Sequence, residues 1–259
     1  MPAAAYTLEW TFTPVDYFDR EFRIDGPDYC AWFALGKVTA TVDQEVYEHF
    51  NPDVRVELEK AIRSRFDGAQ LVSRRPYKLD GPARFLLHPD GRRDVFIEVG
   101  AGVVTLTGGS VDVRITDPTG AVVHDTKAER AADKANVGEL LHKHRDRDDT
   151  LRAIATSHAN AVTDPNNELV HLYEIREALQ GRFRNESKAR SALGVAQARW
   201  SRFGQLCNDE PLRQGRHRGK FAASVLRDAT EAELSEARSI STELVRSYLT
   251  YLDTLPPKP

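Results

Sequence analysis

Sulfur is scarce in this chain. Cys30 and Cys207 are its only cysteines, far apart in sequence, and it has a single methionine. Two distant cysteines cannot build a disulfide framework, so the expectation is two unpaired, buried thiols in a reducing compartment. Long apolar runs are missing too. None approaches the ~18–20 residues needed to cross a bilayer, and the start MPAAAYTLEW has neither a basic n-region nor an apolar h-region. The expected location is the cytoplasm, with no membrane contact. Residues 1–125 contain no HExxH, CxxC, nucleophile elbow or DxDxDG loop. Gly100, Gly102, Gly108 and Gly109 fall in strand-to-strand turns with no GKS or GKT behind them, which argues against a phosphate loop. No metal site and no cofactor is expected, and no repeat period is visible.

What the chain has is charge, unevenly spread. Its 259 residues suffice for one large domain or two ordinary ones. Apolar residues make up 41 % and charged residues 29 %, the balance of a globular protein, and the net charge is −3. Between Arg176 and Lys220, however, eleven lysines and arginines face four acidic residues. Such asymmetry fits an anionic partner for one face, or the chequered surface of charged helices.

Residues 1–125 read as an α+β domain of antiparallel hairpins and one helix. Tyr6–Thr13 and Lys37–Val42 alternate apolar and polar residues, and Tyr29–Leu35 is a more continuous apolar run, so these predict strands, the last two paired. Asn51 and Pro52 suit the cap and first position of a helix over 52–66, with Val54, Leu58, Ala61, Ile62 and Phe66 on one face. Turn signals at Pro89-Asp90-Gly91, Gly108-Gly109 and Asp117-Pro118-Thr119-Gly120 predict hairpins joining 85–88 to 94–99, 103–107 to 111–116, and the last of these to 121–124. Asp16, Asp19 and Glu21 suggest a solvated acidic turn. Trp10, Phe12, Tyr17, Phe18, Trp32 and Phe33 suit the domain's own core, or a protein-docking anchor.

Residues 126–259 read as an all-α bundle of four to five helices. The stretch 126–149 is charge-dense and suits a linker entering a long helix. His142 and His144, two apart, point to different sides of a helix and suit a solvated face. An apolar set resumes at Leu151, Ile154, Ala155, His158, Ala159 and Val162. A helix over 165–183 is predicted to bury Leu169, Leu172, Tyr173, Leu179 and Phe183. Ser187–Leu193 closes on Gly194, and 195–207 presents Trp200, Phe203, Leu206 and Cys207. The last helix, 229–255, is capped by Asp228 or Thr230, has Glu231 and Glu233 in its first turn, and stops at Pro256-Pro257.

Between the last two helices lies NDEPLRQGRHRGK (208–220), with Arg213, Arg216, His217, Arg218 and Lys220 crowded together. Pro211, Gly215 and Gly219 argue against one smooth helix. A kinked cationic segment suits a phosphodiester or polyanion better than a metal.

HLYEIREALQGRF (171–183), WSRFGQLCND (200–209) and RQGRHRG (213–219) together resemble the core of a HEPN domain. That resemblance implies a helical bundle, a homodimer, and metal-independent endoribonuclease chemistry. In that family each subunit supplies an arginine and a histidine, usually four to six residues apart. Here the pair is Arg213 and His217, with only three residues between them. The resemblance implies that Arg213 stabilises charge on the scissile phosphate. His217 would serve as acid or base on the 2′-hydroxyl or leaving oxygen, as an imidazole of pKa ~6.5 and a bidentate guanidinium are suited to do. Asn208, Arg216, Arg218 and Lys220 would contact the nucleic acid. RQGRHRGK and LRDATEAELSEAR also resemble accessory proteins of bacterial amine-utilisation clusters, which implies a bacterial cytoplasmic protein and no defined chemistry.

Three readings stay open at this point. One is a dimeric ribonuclease whose first domain senses a trigger. Another is a non-catalytic module binding RNA or another polyanion. The third is an assembly protein that dimerises through the bundle and docks a protein partner through its first domain. In the plainest alternative the basic segment is structural, with Arg216 and Arg218 paired to Glu231, Glu233 or Asp209, and Glu174 and Glu177 solvated.

Overall fold

A computed structural model of the chain describes residues 5–51, 53–87, 93–96, 114–116, 122–216 and 226–256. It divides into two compact units. The first comprises residues 1–69 and 77–135, the second residues 70–76 and 136–259.

In the first unit, β1 (Ala5–Thr13), β2 (Phe22–Asp25), β3 (Tyr29–Ala34), β4 (Lys37–Asp43), β5 (Lys78–Leu87) and β6 (Arg93–Phe96) form one sheet in the order β2-β3-β4-β1-β5-β6. Every neighbouring pair is antiparallel. The alternation read in β1 and β4 is real. Tyr6, Leu8, Trp10 and Phe12 are buried, as are Val38, Ala40 and Val42, while the intervening residues face outward. Helix α1 (Val54–Ser73) closes this face with Val54, Leu58, Ala61, Ile62 and Phe66, the positions expected at 3–4 spacing, and continues seven residues past the predicted end. A second hairpin joins β7 (Arg114–Thr116) to β8 (Val122–Asp125). The strand expected over 103–107 lies outside the described residues.

The aromatic cluster fills the core, with one exception. Tyr17, Phe18, Phe33 and Phe66 pack ring against ring, whereas Trp32 stands on the outward face of β3, 46 % exposed. The acidic turn is not solvated at Asp19. Its carboxylate is almost fully buried between Arg130 and Lys134, with Lys134 Nζ 2.8 Å from Oδ2. Lys134 is itself buried and donates to the Tyr17 carbonyl at 3.0 Å. Burial pushes the Asp19 carboxyl up, but the hydrogen bonds and charges of the two cations outweigh it and hold the group below its ordinary value.

Those two cations belong to α2 (Thr126–His144), which occupies the stretch expected to be a linker. The Asp125 carboxylate accepts from Ala128 N at its start. The two compact units part at Ala135/Asn136, within this helix.

The second unit is all helical: the end of α2, α3 (Asp149–Thr163), α4 (Glu168–Arg182), α5 (Glu186–Leu193), α6 (Gln197–Gly204) and α7 (Glu231–Thr254). Local chemistry sets the boundaries. Asp148 caps α3 by accepting from Leu151 N, and Asn185 caps α5 by accepting from Lys188 N. Gly194 ends α5 in the left-handed conformation, φ +67°. Thr230 and Glu233 form a reciprocal capping box on α7. One core unites Leu151, Ile154, Leu169, Leu172, Ile175, Leu179, Trp200, Phe203, Leu206, Cys207, Ile240, Leu244 and Tyr248. Tyr173 and Phe183, expected inside, lie at its margin, and Ile175 takes the inner position. His144 is not on a free face, since Nε2 lies 3.1 Å from Asp253 Oδ1. Among the described residues, no helix is long and apolar enough to cross a membrane.

Candidate functional site

The basic segment begins where α6 loosens into a π-type turn, Gln205–Asp209, whose Leu206 and Cys207 are buried in the bundle. Pro211 then leads into Leu212, which is almost fully buried and makes an isolated parallel bridge to Arg227. Arg213 N donates to Arg227 O at 3.0 Å, and Arg227 N to Pro211 O at 3.1 Å. Gln214 fastens the same two strands with its side chain. Its Oε1 accepts from Ala229 N at 3.0 Å and its Nε2 donates to Asp228 Oδ1 at 3.3 Å. Gly215 N donates to Leu212 O, and Arg216 N to Cys207 O at 3.0 Å. The backbone passes so close at Gly215 that a Cβ there would sit 3.2 Å from Leu212 O. A stem of paired backbone therefore brings the flanks of residues 217–225 together.

Arg213 and Arg216 leave this stem in different circumstances. Residues 213–216 form turns, not a helix, so the one-face argument for Arg213 and His217 does not apply to them. Arg213 is exposed. Its Nε donates to Leu226 O at 3.4 Å, and its Nη groups have no carboxylate partner among the described residues. Arg216 is paired. Its Nη1 lies 2.5 Å from Glu177 Oε1, and its guanidinium stacks over the Tyr173 ring, 5.1 Å from the centroid. The Glu177 hydrogen bond raises the Arg216 pKa further above its ordinary value. Asn208 is half-buried and donates to Asp209 Oδ1 at 2.9 Å. His217, Arg218 and Lys220 lie outside the described residues.

Sequence reasoning paired Arg216 with Glu231, Glu233 or Asp209. Those carboxylates are engaged elsewhere: Glu231 with Arg238, Glu233 with Arg227, and Asp209 with Asn208. Glu174, expected to be solvated, accepts from Ser157 Oγ at 2.8 Å.

Much of the local positive excess is met by carboxylates. Arg176 and Arg190 share Glu186, Arg182 reaches Asp148, Arg199 pairs with Glu243, and Arg202 pairs with Glu236. Arg184, Lys188 and Arg213 have no such partner among the described residues.

Two residues that sequence reasoning counted as core or passed over shape this site. Arg176 lies over the rings of both Tyr173 and Trp200, 5.4 Å from each centroid, and its Nη1 donates to the Tyr173 hydroxyl at 3.2 Å. Gly204 makes room, since a Cβ there would lie 2.7 Å from Arg176 Nη1. The signal was present: Tyr173, Arg176 and Glu177 recur at 3–4 spacing on one side of α4, away from the buried Leu172, Ile175 and Leu179.

Cys207 is buried, with its thiol pushed up by desolvation, while Cys30 is half-buried. Among the described residues, no group of three His, Cys, Asp or Glu side chains is placed to hold a metal ion. No family model, curated protein or solved structure compared with the chain matches it.

Proposed function

We propose that the helical unit is a HEPN-like, RNA-directed module that works as a homodimer and binds through the basic segment rising from the 207–216/226–229 stem. Arg213 carries the reading. Its backbone is fixed by the bridge to Arg227, its Nε is anchored on Leu226 O, and its outer nitrogens are free of carboxylates among the described residues. A guanidinium held in this way has little order to lose when it grips a phosphate. Asn208, Arg216, Arg218 and Lys220 extend the contact along the strand.

In this reading His217 takes the 2′-hydroxyl proton, and that oxygen attacks the adjacent phosphorus. Arg213 stabilises the charge that builds on the phosphate, and the 5′-oxygen leaves with a proton returned from an imidazole. The reaction uses only these side chains and the substrate's own hydroxyl.

The test is an RNA cleavage assay in excess EDTA, with light scattering for the oligomeric state and circular dichroism for folding. Cleavage that persists in EDTA and disappears in His217→Ala and Arg213→Ala is the expected result. Salt-dependent binding by the wild type without product would leave a binding module and remove the chemistry. Activity surviving in His217→Ala would remove the catalytic assignment, and a monomer would remove the shared cleft.

A further inference from the structure

The Arg216 guanidinium has a floor, a tether and a counter-ion, and the three are separable. Its floor is the Tyr173 ring, fixed in turn by Arg176, which stacks on that ring and donates to its hydroxyl. Its tether is the hydrogen bond from its backbone N to Cys207 O. The counter-ion is Glu177, one helical turn after Tyr173. Both members of the ion pair are open to water, with side chains 42 % and 48 % exposed. An exposed ion pair of this sort is weak, because water and salt compete for both groups. Floor and tether do not depend on the carboxylate, so Glu177 can leave while the guanidinium keeps its orientation. A phosphate presents to that fork the same pair of anionic oxygens as a carboxylate.

We propose that Glu177 is a built-in competitor at the Arg216 anion site: it occupies the guanidinium when the site is empty and gives way to a phosphate of single-stranded RNA. This rests on the RNA-directed reading of the basic segment. A lone anion gains little by the exchange, because it must displace a carboxylate already in place. A strand whose neighbouring phosphates are held at Arg213 arrives at high local concentration and does displace it. Glu177 thereby favours polyanions over single ions.

The experiment measures binding of a labelled oligouridylate by fluorescence anisotropy across a salt series, for the full chain and for Glu177→Gln, Arg216→Ala and the double variant, with folding checked by circular dichroism. Glu177→Gln should tighten binding about fivefold at low salt, the scale of freeing one exposed ion pair. It should also steepen the logarithmic salt slope by about 0.7, the value for one added phosphate contact on a single strand. Arg216→Ala should weaken binding and abolish the gain in the double variant. If the wild type binds and Glu177→Gln binds no tighter, the competitor role is overturned while the RNA reading stands. A gain that persists without Arg216 overturns it equally, since Glu177 would then act only through bulk charge. If neither the wild type nor Glu177→Gln binds at low salt, the RNA reading and this inference fall together.

Discussion

Glu168 and Arg238 meet fork to fork, with Nε 2.8 Å from Oε1 and Nη2 2.8 Å from Oε2. Arg74 shares the same carboxylate, its Nη2 2.6 Å from Oε1, and Glu168 is only 3 % exposed. One buried anion thus holds two part-buried guanidiniums, joining the 70–76 segment, α4 and α7 within the helical unit. Removing the anion leaves both cations short of a partner, a change that costs about 3 kcal/mol or more at a buried pair. Glu168→Gln keeps the shape and discards the charge. Urea unfolding should show that loss, and a change below about 1 kcal/mol would mean that water already screens the cluster.

His158 gives the same cluster a pH signature. It is 1 % exposed, and its Nε2 lies 3.4 Å from Arg74 Nη1. Burial first, and the Arg74 charge second, push its pKa down to about 3. The folded protein therefore keeps His158 neutral across a range in which the unfolded chain, near ~6.5, takes up a proton. Stability is fully present above ~6.5 and falls as the pH drops from there toward about 3. Linkage gives a loss of about 2 kcal/mol from this group by pH 5. Comparing urea midpoints at pH 7 and pH 5 checks it. His158→Gln, which cannot titrate, should lose that much less over the interval.

The parts of this fold legible in the sequence are those set by neighbours in the chain. Gly194 ends α5, Thr230 and Glu233 cap α7, and the alternation in β1 and the 3–4 spacing in α1 place buried residues where periodicity puts them. What was not legible depends on distant partners or on broken periodicity. Asp19 reads as a surface acid until Arg130 and Lys134 arrive from more than a hundred residues away. In α2 the buried face runs through Ala131, Lys134, Val137 and Leu141, and a lysine at the second position disguises it as a charged linker. At the basic segment, composition announced cations but not their partners. Arg216 and Glu177 stand on different elements, and the Leu212–Arg227 bridge is non-local, so no local pattern encodes either.

Two glycines should respond in opposite directions to the same substitution. Gly81 has φ +117°, a conformation few side chains tolerate, and a Cβ there would lie 2.9 Å from Glu9 O and 3.2 Å from Trp10 Cα. It faces the register irregularity between Glu9 and Thr11 in the β1–β5 pairing. Gly181 lies in the last turn of α4, exposed, with nothing within 4 Å of the Cβ position. Gly81→Ala should cost about 2 kcal/mol or more. Gly181→Ala should gain up to ~1 kcal/mol, by restricting the unfolded chain. Thermal melts of the two variants decide the matter, and a loss at Gly181 would show that the helix end needs its freedom.

The start of α7 and the base of the basic segment are one structure, and this yields a prediction that joins stability to binding. Glu233 accepts from Thr230 N at 2.8 Å and Thr230 Oγ1 at 2.9 Å, while Arg227 grips the same carboxylate with Nη1 at 2.8 Å and Nη2 at 2.6 Å. The Arg227 hydrogen bond leads the causes that hold the Glu233 carboxyl down at about 2. Arg227 also supplies the backbone that pairs with Pro211 and Arg213. Thr230→Ala removes the cap alone and should cost about 1 kcal/mol, with little effect on the stem. Glu233→Gln weakens the cap and also releases Arg227, so it should cost about as much stability and in addition lower RNA affinity, because Arg213 loses its fixed base. Measuring urea midpoints and oligouridylate binding on both variants separates the two effects. Equal affinity in both variants would mean that the backbone bridge holds Arg213 without help from the ion pair.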